Sequence, residues 1–174
     1  MKTLILYRSK YGSAAKYAHM LGEALDCPVV ELGKRLPDLS EYGQIVFVGG
    51  IYAGGINGLN ILRKDQSVWQ GKKLALLAVG ASPCDEKAIE ELRARHCARE
   101  LTGVPLFYAR GAWNEDKMDR KDRFLCSLLQ KAVSKKPPEE CEEWMTALLQ
   151  AKGQTCDWTD RAYLEPLLTL LRKD

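Results

Sequence analysis

Five short apolar runs, most of them followed by a segment of helical periodicity, constrain the fold of this chain more than any other feature. They lie at residues 3–7, 28–32, 44–49, 73–79 and 104–108. Each is short enough for a strand and apolar enough to be buried on both faces. Between them, Ala14, Tyr17, Ala18, Leu21 and Leu25 recur at helical spacing over about residues 13–25. Leu59, Ile61 and Leu62 open a helix expected to reach Trp69, and Asp85 is placed to cap a helix from Glu86 to about Arg99. Acids early and arginines late in that segment suit the helix dipole. Strands alternating with helices require right-handed crossovers and a parallel sheet. The expected architecture is a three-layer, doubly wound α/β sheet of order 2-1-3-4-5. Pro105 puts the fifth run at an edge, where a missing ladder donor is tolerated.

After Gly111 the pattern changes. Phe124, Leu125, Leu128, Leu129 and Ala132 mark a helix stopped before Pro137 and Pro138. Trp144, Leu148 and Leu149 suggest another, and Asp157 and Trp158 lead into a last one through Tyr163, Leu167, Leu168 and Leu171. With no repeat and no long linker, residues 1–174 are expected to form a single domain with extra C-terminal helices. The apolar run at Leu4–Leu6 is too short for a signal or a membrane span, which gives a cytoplasmic reading.

Six cysteines without CxxC spacing argue against a zinc ribbon or a thioredoxin-type pair, and reduced thiols are expected. His96 and Cys97 adjoin, but neighbouring helical positions point to different faces, so no metal is expected there. A net charge of +3, with no basic run interleaved with aromatics, speaks against nucleic acid.

In an open parallel sheet, ligands bind beyond the carboxyl ends of the strands, where the strand order reverses. Three loops converge there. The first holds Ser9, Lys10, Tyr11, Gly12, Ser13 and Ala14. It precedes a helix, so it is either an anion cradle of unpaired backbone N–H groups or an ordinary turn with a serine cap. It is neither a Walker A loop nor GxGxxG. The second loop spans residues 50–58, with Gly50, Ile51, Tyr52, Ala53 and Gly54 as candidates. Tyr52 could stack on a flat heterocycle or pack on the sheet end. The third offers Gly80, Ala81, Ser82 and Cys84; that thiol either faces a ligand or is structural.

These residues carry a resemblance. The opening stretch MKTLILYRSKYGSAAKYA is similar to that of flavodoxins. Gly111-Ala-Trp113, Asp122-Arg-Phe124 and Asp157-Trp158 resemble the C-terminal half of the flavodoxin-domain group that includes menaquinone-dependent protoporphyrinogen oxidase. The resemblance implies FMN, with its phosphate in the Ser9–Ser13 turn and its ring between the second and third loops. Tyr11 and Ala14 stand where flavodoxins usually place threonines, removing two hydroxyl donors worth roughly 1.5–3 kcal/mol each.

Typical flavodoxins are strongly acidic, and a chain at +3 would be poorly steered to their basic partners. The expectation is therefore an FMN-dependent oxidoreductase with a quinone or porphyrin-type substrate, near Trp113, Arg120, Arg123 and Phe124. A one-electron carrier serving a redox partner, and a protein that has lost FMN and acts through protein contacts, are the alternatives. No transmembrane segment is expected, and a homodimer is compatible with the sequence. The basic, apolar helix around residues 124–132 is open to peripheral membrane contact, although burial of its apolar face is the favoured reading.

Overall fold

The computed structural model describes residues 1–52, 54–83 and 86–173. In chain order, β1 (Thr3–Arg8) leads into α1 (Ser13–Leu25), β2 (Val29–Glu31) and β3 (Gln44–Tyr52). A two-residue strand β4 (Gly55–Ile56) folds back on β3 before α2 (Leu59–Lys64) and α3 (Gln66–Trp69). Next come β5 (Lys73–Gly80), α4 (Glu86–His96) and β6 (Leu106–Arg110). The C-terminal part contains β7 (Ala112–Asn114), α5 (Arg120–Val133), α6 (Glu143–Gln150), β8 (Thr155–Asp157) and α7 (Glu165–Arg172).

The main sheet runs β2-β1-β3-β5-β6, all parallel, with β4 paired antiparallel to β3 alone. Setting that hairpin aside, this is the expected order, with β6 at an edge. Register explains the two cores, because successive side chains in a strand point to opposite faces. Ile5 stands beside Val29 and Val46, while Leu6 stands beside Val30 and Phe47. Leu4, Leu6, Ile45, Phe47 and Leu76 join Leu59, Leu62 and Trp69 of α2 and α3 on one face. Ile5, Val46, Val48, Leu77 and Val79 join Tyr17, Ala18 and Leu21 of α1 and Leu167, Leu168 and Leu171 of α7 on the other. The result is three layers.

Local departures from the expected elements have identifiable causes. The glycine-rich stretch after Gly49 is not all loop: β3 continues to Tyr52, with Gly49 and Gly50 paired to Ala78 and Val79. A Cβ on Gly49 would fall 2.4 Å from Ile56 Cγ2, so the absent side chain is what lets the hairpin fold back. The helix expected over residues 59–69 divides at Asp65 (φ −112°, ψ 44°). Helix α4 ends at His96 rather than Arg99, which sits in the left-handed region at φ 57°. Asp85, expected to cap it, lies outside the described residues. An antiparallel ribbon of β7 and β8, Trp113 opposite Cys156, was not expected at all.

Candidate functional site

Beyond the carboxyl ends of β1 and β3 lies a cleft of about 520 Å³, within the roughly 300–1,000 Å³ of small-molecule sites. The three anticipated loops contribute Ser9, Lys10, Tyr11, Ser13 and Ala14, then Gly50, Ile51 and Tyr52, then Gly80 and Ala81. Gly12, Gly54 and Ser82 do not line it. Gly12 is the N-cap of α1, the Gly54 carbonyl lies 2.9 Å from His96 Nε2, and the Ser82 carbonyl accepts from Tyr108 Oη at 2.7 Å. Ala53 and Cys84 lie outside the described residues.

The first loop has the form of an anion cradle. Gly12 takes φ +98°, a conformation that suits glycine, and its N–H donates to Ser9 Oγ at 3.0 Å. The first-turn amides of α1 have no partner inside the helix and sit at its positive end. Ser13 Oγ accepts from the Ala112 N–H at 3.0 Å. A hydroxyl that accepts can still donate, so Ser9 and Ser13 each keep a proton to offer an anion. Gly50 leaves open space where a Cβ would stand, so its backbone can be approached closely.

The other half of the cleft comes from the chain beyond Gly111. Trp113 and Asn114 of β7, Cys156 and Asp157 of β8, and Asp122, Leu125, Cys126 and Leu129 of α5 line it, with Lys117 and Met118 before α5. Lys16 Nζ, reaching from α1, donates to Asp157 at 2.9 Å and to Thr159 Oγ1 at 2.5 Å, fixing the ribbon to the cradle helix. Bonds from Thr159 and Lys16 hold the Asp157 carboxyl down at about 2. Of the residues expected over the site, Trp113 lines the cleft, whereas Arg120, Arg123 and Phe124 do not. Arg123 Nη2 donates instead to the Asp116 carbonyl at 3.2 Å.

Asp122 is the residue that joins the two halves. Asp119 caps α5 by accepting the Asp122 N–H at 2.9 Å, which sets the first turn of the helix against the loops. The buried Asp122 carboxylate then accepts from Lys10 Nζ at 2.6 Å, from the Tyr11 hydroxyl and from the Tyr52 hydroxyl. Lys10 Nζ also lies 3.0 Å from Asp119 and 4.1 Å from the centre of the Tyr52 ring. Burial would raise the Asp122 carboxyl, but the bonds from Lys10, Tyr11 and Tyr52 outweigh it and hold the group at about 2. The Asp122 bond correspondingly pushes the Lys10 ammonium up. Burial and the Asp122 bond raise the Tyr11 phenol; the same bond raises that of Tyr52.

Lys10 is thus a fixed, ionised group shared by two carboxylates rather than a free phosphate ligand. The Asp-Arg-Phe motif marks Asp122 in the sequence as the start of a helix. Its three partners are invisible there.

Among the described residues, no group of three or more His, Cys, Asp or Glu side chains is placed to hold a metal ion. The five cysteines described are free thiols.

A parallel sheet with a cleft at the strand-order switch places the chain among doubly wound α/β proteins. Within that class it belongs to the flavodoxin domain family, whose model matches residues 4–140. Among solved structures, a flavoprotein in complex with FMN from Lactobacillus acidophilus is 17% identical, covering 63% of this chain and 91% of that one at a TM-score of 0.46. The Trp repressor binding protein from Bacillus subtilis is 14% identical, covering 63% and 85% at 0.43. No curated protein matches the sequence.

Proposed function

We propose that this chain binds FMN in the cleft and acts as an FMN-dependent oxidoreductase. The observation that carries the reading is the cradle itself: first-turn amides at a helix N-terminus and two serine hydroxyls with protons to donate, opening on a bare glycine backbone. Ser9, Ser13 and Ala14 would hold the phosphate, while Ile51, Tyr52, Gly80 and Ala81 would border the ring. FMN, when bound, supplies a ring that takes up and returns electrons. The protein's part is to bind, orient and shield it. Trp113, Met118, Leu125 and Leu129 give the cleft an apolar side that suits a flat apolar substrate.

Absorbance of the purified protein and quenching of FMN fluorescence on titration test the reading. A colourless preparation that takes up no added FMN refutes it. Its narrowest form is oxidation of protoporphyrinogen with a quinone acceptor, supported by the short C-terminal motifs. Turnover in a protoporphyrinogen-plus-quinone assay supports that form; an FMN-loaded protein that shows no turnover with any quinone favours the electron carrier instead.

One observation favours a second reading, a flavodoxin-domain protein without flavin that acts through protein contacts. The one cation of the first loop facing the cleft is held by Asp119 and Asp122, so the cluster carries net negative charge beside the cradle. The same titration separates the two.

A further inference from the structure

We propose that α5 is a docking surface for anionic membrane surfaces, lying in the plane of the lipid headgroups with its outer face against the acyl boundary. The sequence favoured burial of this helix's apolar face. The structure leaves it bare. Phe124, Leu125, Leu128 and Leu129 are 63%, 56%, 47% and 44% exposed, and their spacing puts them on one side of the helix. No other element carries such a group of exposed large apolar side chains among the described residues. A contiguous patch of this kind marks an interaction site.

Charge identifies the occupant. Between Lys117 and Lys136 stand seven basic residues and two acidic ones, a net +5 against +3 for the whole chain. Of the two acids, Asp119 and Asp122, the second is buried and both pair with Lys10, so they do little to offset the outward basic groups. The rest of the chain is therefore net negative, and positive charge is concentrated around the apolar stripe. An apolar face bordered by lysine and arginine is the pattern of an interfacial helix on an anionic bilayer. A second copy fits less well, because a twofold contact would bring two like-charged segments together. At 14 residues, about 21 Å, α5 is too short to cross a bilayer and suited to lie on one. Leu125 and Leu129 also line the cleft, so docking would shield its apolar side from water.

The test is co-sedimentation with phosphatidylcholine vesicles, with and without phosphatidylserine at a roughly 2:1 ratio, at low and high salt. It is independent of flavin. The unmodified protein should bind the anionic vesicles, lose binding as salt rises, and bind neutral vesicles at least about tenfold more weakly. Phe124→Ser/Leu128→Ser and Lys121→Glu/Lys131→Glu alter residues outside the cleft. Each pair should weaken binding about tenfold or more with an unchanged thermal midpoint. Absence of vesicle binding, or variants that bind like the unmodified protein, would overturn the proposal. So would a dimer in light scattering that the Phe124→Ser/Leu128→Ser change dissociates while vesicle binding persists unchanged.

Discussion

Replacing Asp122 with alanine removes the carboxylate that joins α5 to the first and second loops together, leaving Asp119 paired with Lys10 of the first. The Tyr11 and Tyr52 hydroxyls lose their acceptor, and Lys10 Nζ loses one of its two, keeping Asp119 at 3.0 Å. Lys10, Tyr11 and Tyr52 are each a third or more exposed, so water replaces part of what is lost. A hydrogen bond to a charged group is worth about 1.5–3 kcal/mol when shielded, and exposure reduces each here to about 0.5–1 kcal/mol. The expected destabilisation is about 1.5–3 kcal/mol, or about 3–12 °C in Tm for a chain of this size. Urea unfolding of Asp122→Ala, Lys10→Met and the double variant reads the cycle, with a coupling of about 1 kcal/mol expected.

The pH dependence has a definite sign. The folded carboxyl, held at about 2, lies below its ordinary value of about 3.9, so its contribution is present above that value. It fades as pH falls from about 4 towards 2. The unmodified protein should lead Asp122→Ala by a constant margin from about pH 7 to 5 and lose that lead in acid. A coupling below about 0.3 kcal/mol, or a margin that persists at about pH 2, would refute the clasp.

Three other outcomes are expected. Gly12→Ala meets no atom within 4 Å, so its cost is the left-handed backbone alone, about 1–2 kcal/mol in urea unfolding, with weaker FMN uptake in titration. Gly49→Ala forces a Cβ against Ile56 and should destabilise by about 1–3 kcal/mol, with faster hydrogen exchange across β4. Leu168→Ala empties a fully buried site between α7 and the sheet and should cost about 2–5 kcal/mol in calorimetry or denaturant unfolding.

The central sheet was legible because residues such as Ile5, Val46 and Leu77 sit in continuous apolar runs, and parallel strands buried on both faces read that way. The β7–β8 ribbon was not, since three residues such as Ala112, Trp113 and Asn114 are too few to show a period. The part of the cleft wall formed by Asn114, Thr155, Cys156 and Asp157 went unread for that reason. Asp122 illustrates a second limit: it lies 111 residues from Tyr11, and nothing local to either residue signals the contact. Phe124 and Leu128 illustrate a third. Periodicity says which side chains share a face of α5, but not whether another element covers it.

The ribbon also has a consequence for the order of assembly. By Arg110 the chain has all five parallel strands of the main sheet, yet one wall of the cleft still needs Thr155, Cys156 and Asp157. The 40 residues between Asn114 and Thr155 must close as a loop before that wall exists, at an entropic cost. Leu167, Leu168 and Leu171, which complete the packing on one face of the sheet, emerge later still. During synthesis the first loop is therefore made early, the cleft stays open on one side until β8 pairs with β7, and part of the apolar sheet beside α1 stays uncovered until α7 arrives.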